Sequence, residues 1–257
     1  MHLTHKSPRV AFAVSAFVLI EASPHLPYAP SASIMPTVFR EGIALLLVAS
    51  FLLLGPVHVG VAHEDASPPC PPEHTPAAPD SFAVALETTT GPVLLRLYRE
   101  WSPYGVDRVH CLVQQGHFDG LPVFRVVEDF VAQFGLTGDP YTDSLWAEAG
   151  IPDEPVRASN ERGTLAFARN DPDTRSSQLF INLSDNPRLD TLTYNNVEGF
   201  PPLGRVTSGM DAVDAWHNEY GGAPDQDSIR TAGRAYLDRR FPELDVIEQA
   251  RIVSPAE

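Results

Sequence analysis

One stretch, V-F-R-V-V-E-D-F-V-A-Q-F-G at Val123–Gly135, constrains this chain more than any other. It sets Arg125, Phe130 and Gln133 at offsets of zero, five and eight. Two further blocks follow in order: S-S-Q-L-F-I-N-L at Ser176–Leu183, then P-P-L-G-R-V at Pro201–Val206. The second and third blocks contain short strand-like runs at Leu179–Leu183 and Leu203–Val206.

Composition narrows the chemistry. The chain has 257 residues and a formal net charge of -15. From His63 onward it holds 31 of the 33 acidic residues and 15 of the 18 basic ones. A surface this acidic repels phosphates and anionic lipid, so nucleic acid is not an expected partner. The only lysine is Lys6, so nothing after it can form a Schiff base, a P-loop or a Ser-x-x-Lys pair. Ser184-Asp185-Asn186 has no lysine partner and reads as a turn. The histidines after residue 62 lack metal-ligand spacing, so neither a metal nor any other cofactor is expected. Cys70 lies in a proline-rich stretch and Cys111 in an amphipathic helix; they read as two free thiols, with a bridge as the alternative.

Residues 1–62 read as a leader, not as fold. Gly42–Ala62 is nearly all apolar, follows Arg40 and ends in small residues before His63-Glu64-Asp65. That is the layout of a secretory signal peptide, which Met35 would begin; an uncleaved membrane anchor over residues 42–62 is the alternative. Residues 63–80 are rich in proline and read as an extended, solvated linker. The folded domain is expected over 81–257. It opens with strands at Phe82–Glu87 and Val93–Leu97. A helix follows, with Ser102 as N-cap, Pro103 at its first position and Gly116 as C-cap. Short strands are expected at 164–168, 179–183 and 203–206. A second helix is expected at 210–216, a weaker one at 229–237 and a last strand at 245–253. Many short strands with turn signals and few helices suggest an antiparallel barrel with capped ends.

The three blocks resemble those of the cyclophilin family of peptidyl-prolyl isomerases, F-H-R-x-x-x-x-F-x-x-Q-G, S-Q-F-F-I and F-G-x-V. The resemblance runs from about Phe82 to Val253. Gln133-Phe134-Gly135 and the run from Gly209 onward look like a bacterial and plastid subfamily with Q-F-G in place of Q-G-G. The resemblance implies a mainly β fold: a closed eight-stranded antiparallel barrel capped by two helices, here with an extra C-terminal helix and strand. It implies a monomer that binds proline-containing polypeptides and speeds X-Pro rotation. By the same resemblance Arg125 and Gln133 are the catalytic pair. The substrate-binding residues would be Phe130, Val131, Phe180, Leu189 and Phe200 around the proline ring, with Ala168 and Arg169 on the strand that pairs with the peptide.

Several positions depart from the family pattern. Phe124 stands where the motif has histidine, Val131 where it has methionine and Arg169 where it has asparagine. Arg188 replaces the rim tryptophan before Leu189, and the residues 191–199 look like an insertion. These changes touch the rim more than the ring pocket, so weak cyclosporin binding is expected.

Overall fold

A computed structural model describes residues 70–71 and 75–253. The leader lies outside them. Alternation turns the first apolar runs into a hairpin. In β1 (Ser81–Thr88) Phe82, Val84 and Leu86 point inward, opposite Leu97, Leu95 and Val93 of β2 (Gly91–Tyr98). Next comes α1 (Pro103–Gln114), which buries Val106, Val109, Leu112 and Val113 as its 3.6-residue period requires. The middle of the chain forms β3 (Leu121–Pro122), β4 (Arg125–Val127), β5 (Val131–Phe134), α2 (Pro140–Ala147), β6 (Thr164–Phe167) and β7 (Leu179–Asn182). After these come α3 (Arg188–Thr191), β8 (Thr193–Tyr194), β9 (Val197–Glu198) and β10 (Pro202–Ser208). The chain ends in α4 (Met210–Asp214), α5 (Gln226–Ala232), α6 (Arg234–Arg240) and β11 (Val246–Val253).

Nine of these strands make one antiparallel sheet in the order β3-β11-β1-β2-β10-β6-β7-β5-β4. The sheet curls around the main core, built from the inner faces of β1, β2, β5, β6, β7, β10 and β11, with α1 packed in. This corrects the expected closed barrel of eight strands. The end strands β3 and β4 are successive in the chain but not paired with each other. Leu121–Pro122 pairs with β11, whereas Arg125–Val127 pairs with β5, so the chain changes partner across Val123-Phe124. Pro122 also has no N–H with which to extend a ladder.

The insertion at 191–199 is the hairpin of β8 and β9, turned by Asn195 and Asn196, both at positive φ (47° and 64°). The expected helix at 229–237 breaks at Gly233 into α5 and α6. These two helices build a second, smaller core from Ile229, Leu237 and Phe241 over Phe124 and Leu136. Phe124 is fully buried there, which accounts for an apolar residue beside Arg125.

Two N-terminal readings need correction. Cys70 and Cys111 are joined in a disulfide, so they are not free thiols. The end of the proline-rich stretch is exposed at Pro76, Ala77, Pro79 and Asp80 but is pinned to the domain: Cys70 and Ala78 are buried, and the Ala78 N–H donates to Asp107 Oδ1 at 2.8 Å. Ser102 does hold the N-cap position of α1, but its side chain accepts nothing from the first turn. Glu154 supplies the cap from 50 residues away, accepting from the Tyr104 N–H at 2.9 Å and the Gly105 N–H at 3.2 Å.

Candidate active site

The same alternation that fills the core also builds the site, on the outer face of the sheet. In β5, Ala132 and Phe134 point into the core, so Val131 and Gln133 point out. In β7, Leu179 and Ile181 point in and Phe180 points out; in β6, Leu165 and Phe167 point in and Ala166 points out. In β4, Val126 points in and Arg125 points out. Register then lines these residues up. Arg125 pairs with Gln133, Gln133 with Phe180, and Phe180 with Ala166. Four strands at about 4.8 Å spacing thus carry one outward row: cation, amide, aromatic ring, small floor.

A chain of amides fixes the polar end of the row. The Gln178 side-chain oxygen accepts from Gln133 Nε2 at 3.0 Å. That bond turns the other end of the amide, Oε1, toward Arg125, whose Nη1 donates to it at 3.3 Å. Gly135 makes the close approach of β5 to this segment possible. It sits at φ +119°, and a Cβ there would collide with the Ser177 carbonyl. Arg125 is half-buried and faces no carboxylate within ion-pair reach among the described residues. Its guanidinium lies 5.8 Å from the Phe130 ring. Loss of hydration pulls its pKa below the usual arginine value, and it stays a cation.

The apolar end is a cluster separate from the main core: Val131, Ala166, Phe180, Leu189 and Phe200, with Phe130, Ala168 and Leu192 packed at its edge. Phe180 and Phe200 meet edge to face at 6.1 Å. Backbone bonds hold the far wall, from Phe200 N–H to Leu189 O at 2.8 Å and from Gly199 N–H to Leu192 O at 3.0 Å. Buried asparagines brace it from behind. Asn160 Nδ2 donates to Asp190 Oδ1 at 2.8 Å and to Phe200 O at 2.9 Å, and Asn182 Nδ2 donates to Asn160 Oδ1 at 3.1 Å.

Eight of the nine expected site residues thus come together. The ninth is different. The Arg169 side chain is only 4% exposed and donates to the carbonyls of Tyr194, Val197 and Gly199 at 3.1, 2.8 and 2.8 Å. It also stacks on Phe200 at 4.5 Å. It anchors the β8–β9 hairpin to the pocket wall and leaves only its backbone for a ligand. Sequence reading passed over Gln178, although it lies inside the second block. It also passed over Ala166, whose outward position is set only by register. Among the described residues no cluster of three or more histidine, cysteine or acidic side chains could hold a metal.

A family model described as cyclophilin type peptidyl-prolyl cis-trans isomerase/CLD matches residues 83–234, which include the whole row and both pocket walls. The chain belongs to the cyclophilin family. Its activity is that family's reaction, the cis-trans isomerisation of peptidyl-prolyl bonds. Among curated relatives, the peptidyl-prolyl cis-trans isomerase cyp18 of Streptomyces antibioticus is 38% identical over 136 residues, 51% of this chain and 81% of the relative. A peptidyl-prolyl cis-trans isomerase of Acinetobacter baylyi is 32% identical over 133 residues, 51% of this chain and 69% of the relative. Among solved structures, a cyclophilin from Hirschia baltica aligns with a TM-score of 0.49 at 17% identity, covering 71% of this chain and 77% of the other.

Proposed function

We propose that this cyclophilin rotates X-Pro bonds with Arg125 as its single catalytic cation. The ring of the substrate proline would sit between Phe130, Val131, Phe180, Leu189 and Phe200, and the preceding residues would pair with the backbone of Ala168 and Arg169. The planar amide has a rotation barrier of about 18–20 kcal/mol because resonance ties up the nitrogen lone pair. In the twisted transition state the lone pair is localised and accepts a hydrogen bond. A guanidinium aimed at it binds that state better than the planar substrate, so the barrier falls without nucleophile, metal or proton transfer. The observation that carries this is the outward row Arg125–Gln133–Phe180–Ala166, with the cation free of any carboxylate among the described residues and next to the ring pocket.

The test is Arg125→Ala in an isomerase assay on a proline peptide. A charge-assisted hydrogen bond of about 1.5–3 kcal/mol predicts a loss of roughly ten- to a hundredfold in kcat/KM. Wild-type rates from the variant would refute the mechanism.

The working environment would be outside the cytoplasm, where the enzyme assists the folding of exported polypeptides. The apolar leader before His63 and the Cys70–Cys111 disulfide both support this. N-terminal sequencing of exported protein should give a start near His63, and recovery only of membrane-bound chains retaining residues 45–54 would argue for an anchor. The Gln133-Phe134-Gly135 sequence supports membership of the Q-F-G subfamily. Cyclosporin should bind weakly, because Arg188 puts a solvated cation on Phe130 where an apolar cyclic peptide would have to displace it.

A further inference from the structure

Arg188 begins α3, is exposed, and lays its guanidinium over the Phe130 ring at 4.7 Å. Phe130 therefore lies under two arginines, Arg125 at 5.8 Å and Arg188 at 4.7 Å. Arg96, Arg157, Arg239 and Arg240 also lack a carboxylate partner among the described residues, but only Arg125 and Arg188 share the ring of Phe130. Arg99, Arg162, Arg205, Arg230, Arg234 and Arg251 each pair with a carboxylate. Arg188 pairs with none among the described residues, and its acidic chain neighbours are engaged elsewhere. Asp190 accepts from Ser159 Oγ at 2.6 Å and from the Asn160 N–H at 2.8 Å, and Asp185 accepts from the Arg162 N–H at 2.8 Å. The contact with Phe130 keeps the guanidinium at the pocket edge, and the residue is exposed there.

The sheet order says which side of the proline that edge serves. β7 lies between β6 and β5, so Ala168, just past β6, and Phe130, just before β5, stand on opposite sides of Phe180. A peptide whose residues before the proline pair with Ala168 must run its residues after the proline toward Phe130. We propose that Arg188 is a specificity residue selecting substrates with a carboxylate on the residue that follows the proline. The inference rests on the ring pocket and peptide direction proposed above.

The experiment measures kcat/KM by NMR exchange on the peptides Ala-Ala-Pro-Glu-Ala and Ala-Ala-Pro-Gln-Ala, and on a third with glutamate before the proline. Wild type should favour Pro-Glu over Pro-Gln by about two- to fivefold, the size of a solvent-exposed ion pair. The ratio should fall toward one in Arg188→Gln and be partly kept in Arg188→Lys. It should also shrink from about 0.01 M to 1 M salt, as the screening length drops from about 30 Å to 3 Å. A residue that merely shapes the rim would not make the ratio depend on salt. Equal rates for Pro-Glu and Pro-Gln in wild type, or a preference confined to glutamate before the proline, overturn the inference. If Arg125→Ala still abolishes turnover in that case, the mechanism stands and only the specificity is wrong. If Arg125→Ala leaves every rate intact, the pocket reading fails and the inference falls with it.

Discussion

Around the N-terminus of α1, Arg108 and Arg175 are each 1% exposed and surrounded by acceptors, whereas in the outward row Arg125 is half-buried with one long bond to an amide. Arg108 donates to the carbonyls of Ala149, Ser176 and Cys70 and stacks over Trp146 at 5.3 Å. Burial pulls its pKa down to about 10, and repulsion from Arg175 adds to the shift. Arg175 meets Glu154 at 3.0 Å and also donates to the Pro152 carbonyl. Arg169, with three carbonyls and a ring, belongs with these two. Burial alone does not separate a structural arginine from the one proposed to act in catalysis. The acceptor inventory does: the Nη groups of these three are taken up by carbonyls and, at Arg175, by a carboxylate, with only a buried Nε left unpartnered, whereas Arg125 makes a single bond, to Gln133 Oε1.

The largest expected effect tests that contrast from the structural side. Arg175→Ala would leave the Glu154 carboxylate, 6% exposed, without its cation. Breaking a buried pair this way costs about 3–5 kcal/mol. Arg125→Ala removes a cation that pairs with no carboxylate among the described residues, so its stability should stay within about 1 kcal/mol of wild type. Denaturant titration of both variants should show Arg175→Ala unfolding far earlier and Arg125→Ala near wild type. Equal midpoints would mean that the acceptor inventory does not tell the two regions apart.

The next effect concerns the cross-link beside Arg108. The bridge joins Cys70 and Cys111 across a sequence separation of 41, and Cys70 also gives Arg108 a carbonyl acceptor. Cys70→Ser should cost about 2–4 kcal/mol. Thermal melts with and without reductant provide the check. Wild type should lose stability in reductant and the variant should not, while turnover below the melt stays near wild type. A wild-type melt indifferent to reductant would remove the bridge from the account.

How much of this was legible beforehand follows from where each residue finds its partners. Arg125, Gln133 and Phe180 are set by period-2 alternation in short strands, and the motif spacing brought all three out. Leu189 and Phe200 join the same cluster through local backbone bonds and were legible by resemblance. Arg169 was not, because its acceptors come from residues 194–199, about 25 to 30 positions later, in a hairpin that read only as an insertion. Glu154 as the cap of α1 is likewise invisible locally, since Ser102 satisfies the sequence rule by itself. Cys70 looked like part of a solvated tail because the prolines around it disfavour regular structure. They do not prevent an extended segment from being pinned by one disulfide and one hydrogen bond. The open sheet was missed for a related reason. Whether the ladder closes depends on which partner each half of residues 121–127 takes, and alternation within the segment is the same either way.

The smallest expected effect probes how open Arg125 really is. Gly222 lies in the segment between α4 and α5, and a Cβ built there would sit 3.6 Å from Arg125 Nε. That is ordinary van der Waals contact, so Gly222→Ala should fold normally, within about 0.5 kcal/mol, and turn over peptide close to the wild-type rate. A longer apolar side chain packed along the guanidinium would narrow the approach to the N–H groups and strip their water. Gly222→Leu should therefore lower kcat/KM by about 1 kcal/mol, roughly fivefold, with the unfolding midpoint nearly unchanged. The expected order is wild type and Gly222→Ala together, then Gly222→Leu, then Arg125→Ala. A Gly222→Leu variant as fast as wild type would show that substrate reaches Arg125 from the side away from this segment. The guanidinium would then present its Nη atoms to the proline nitrogen with Nε facing the loop. The charge would remain the catalyst, and the C-terminal helices would have no part in shaping the entrance.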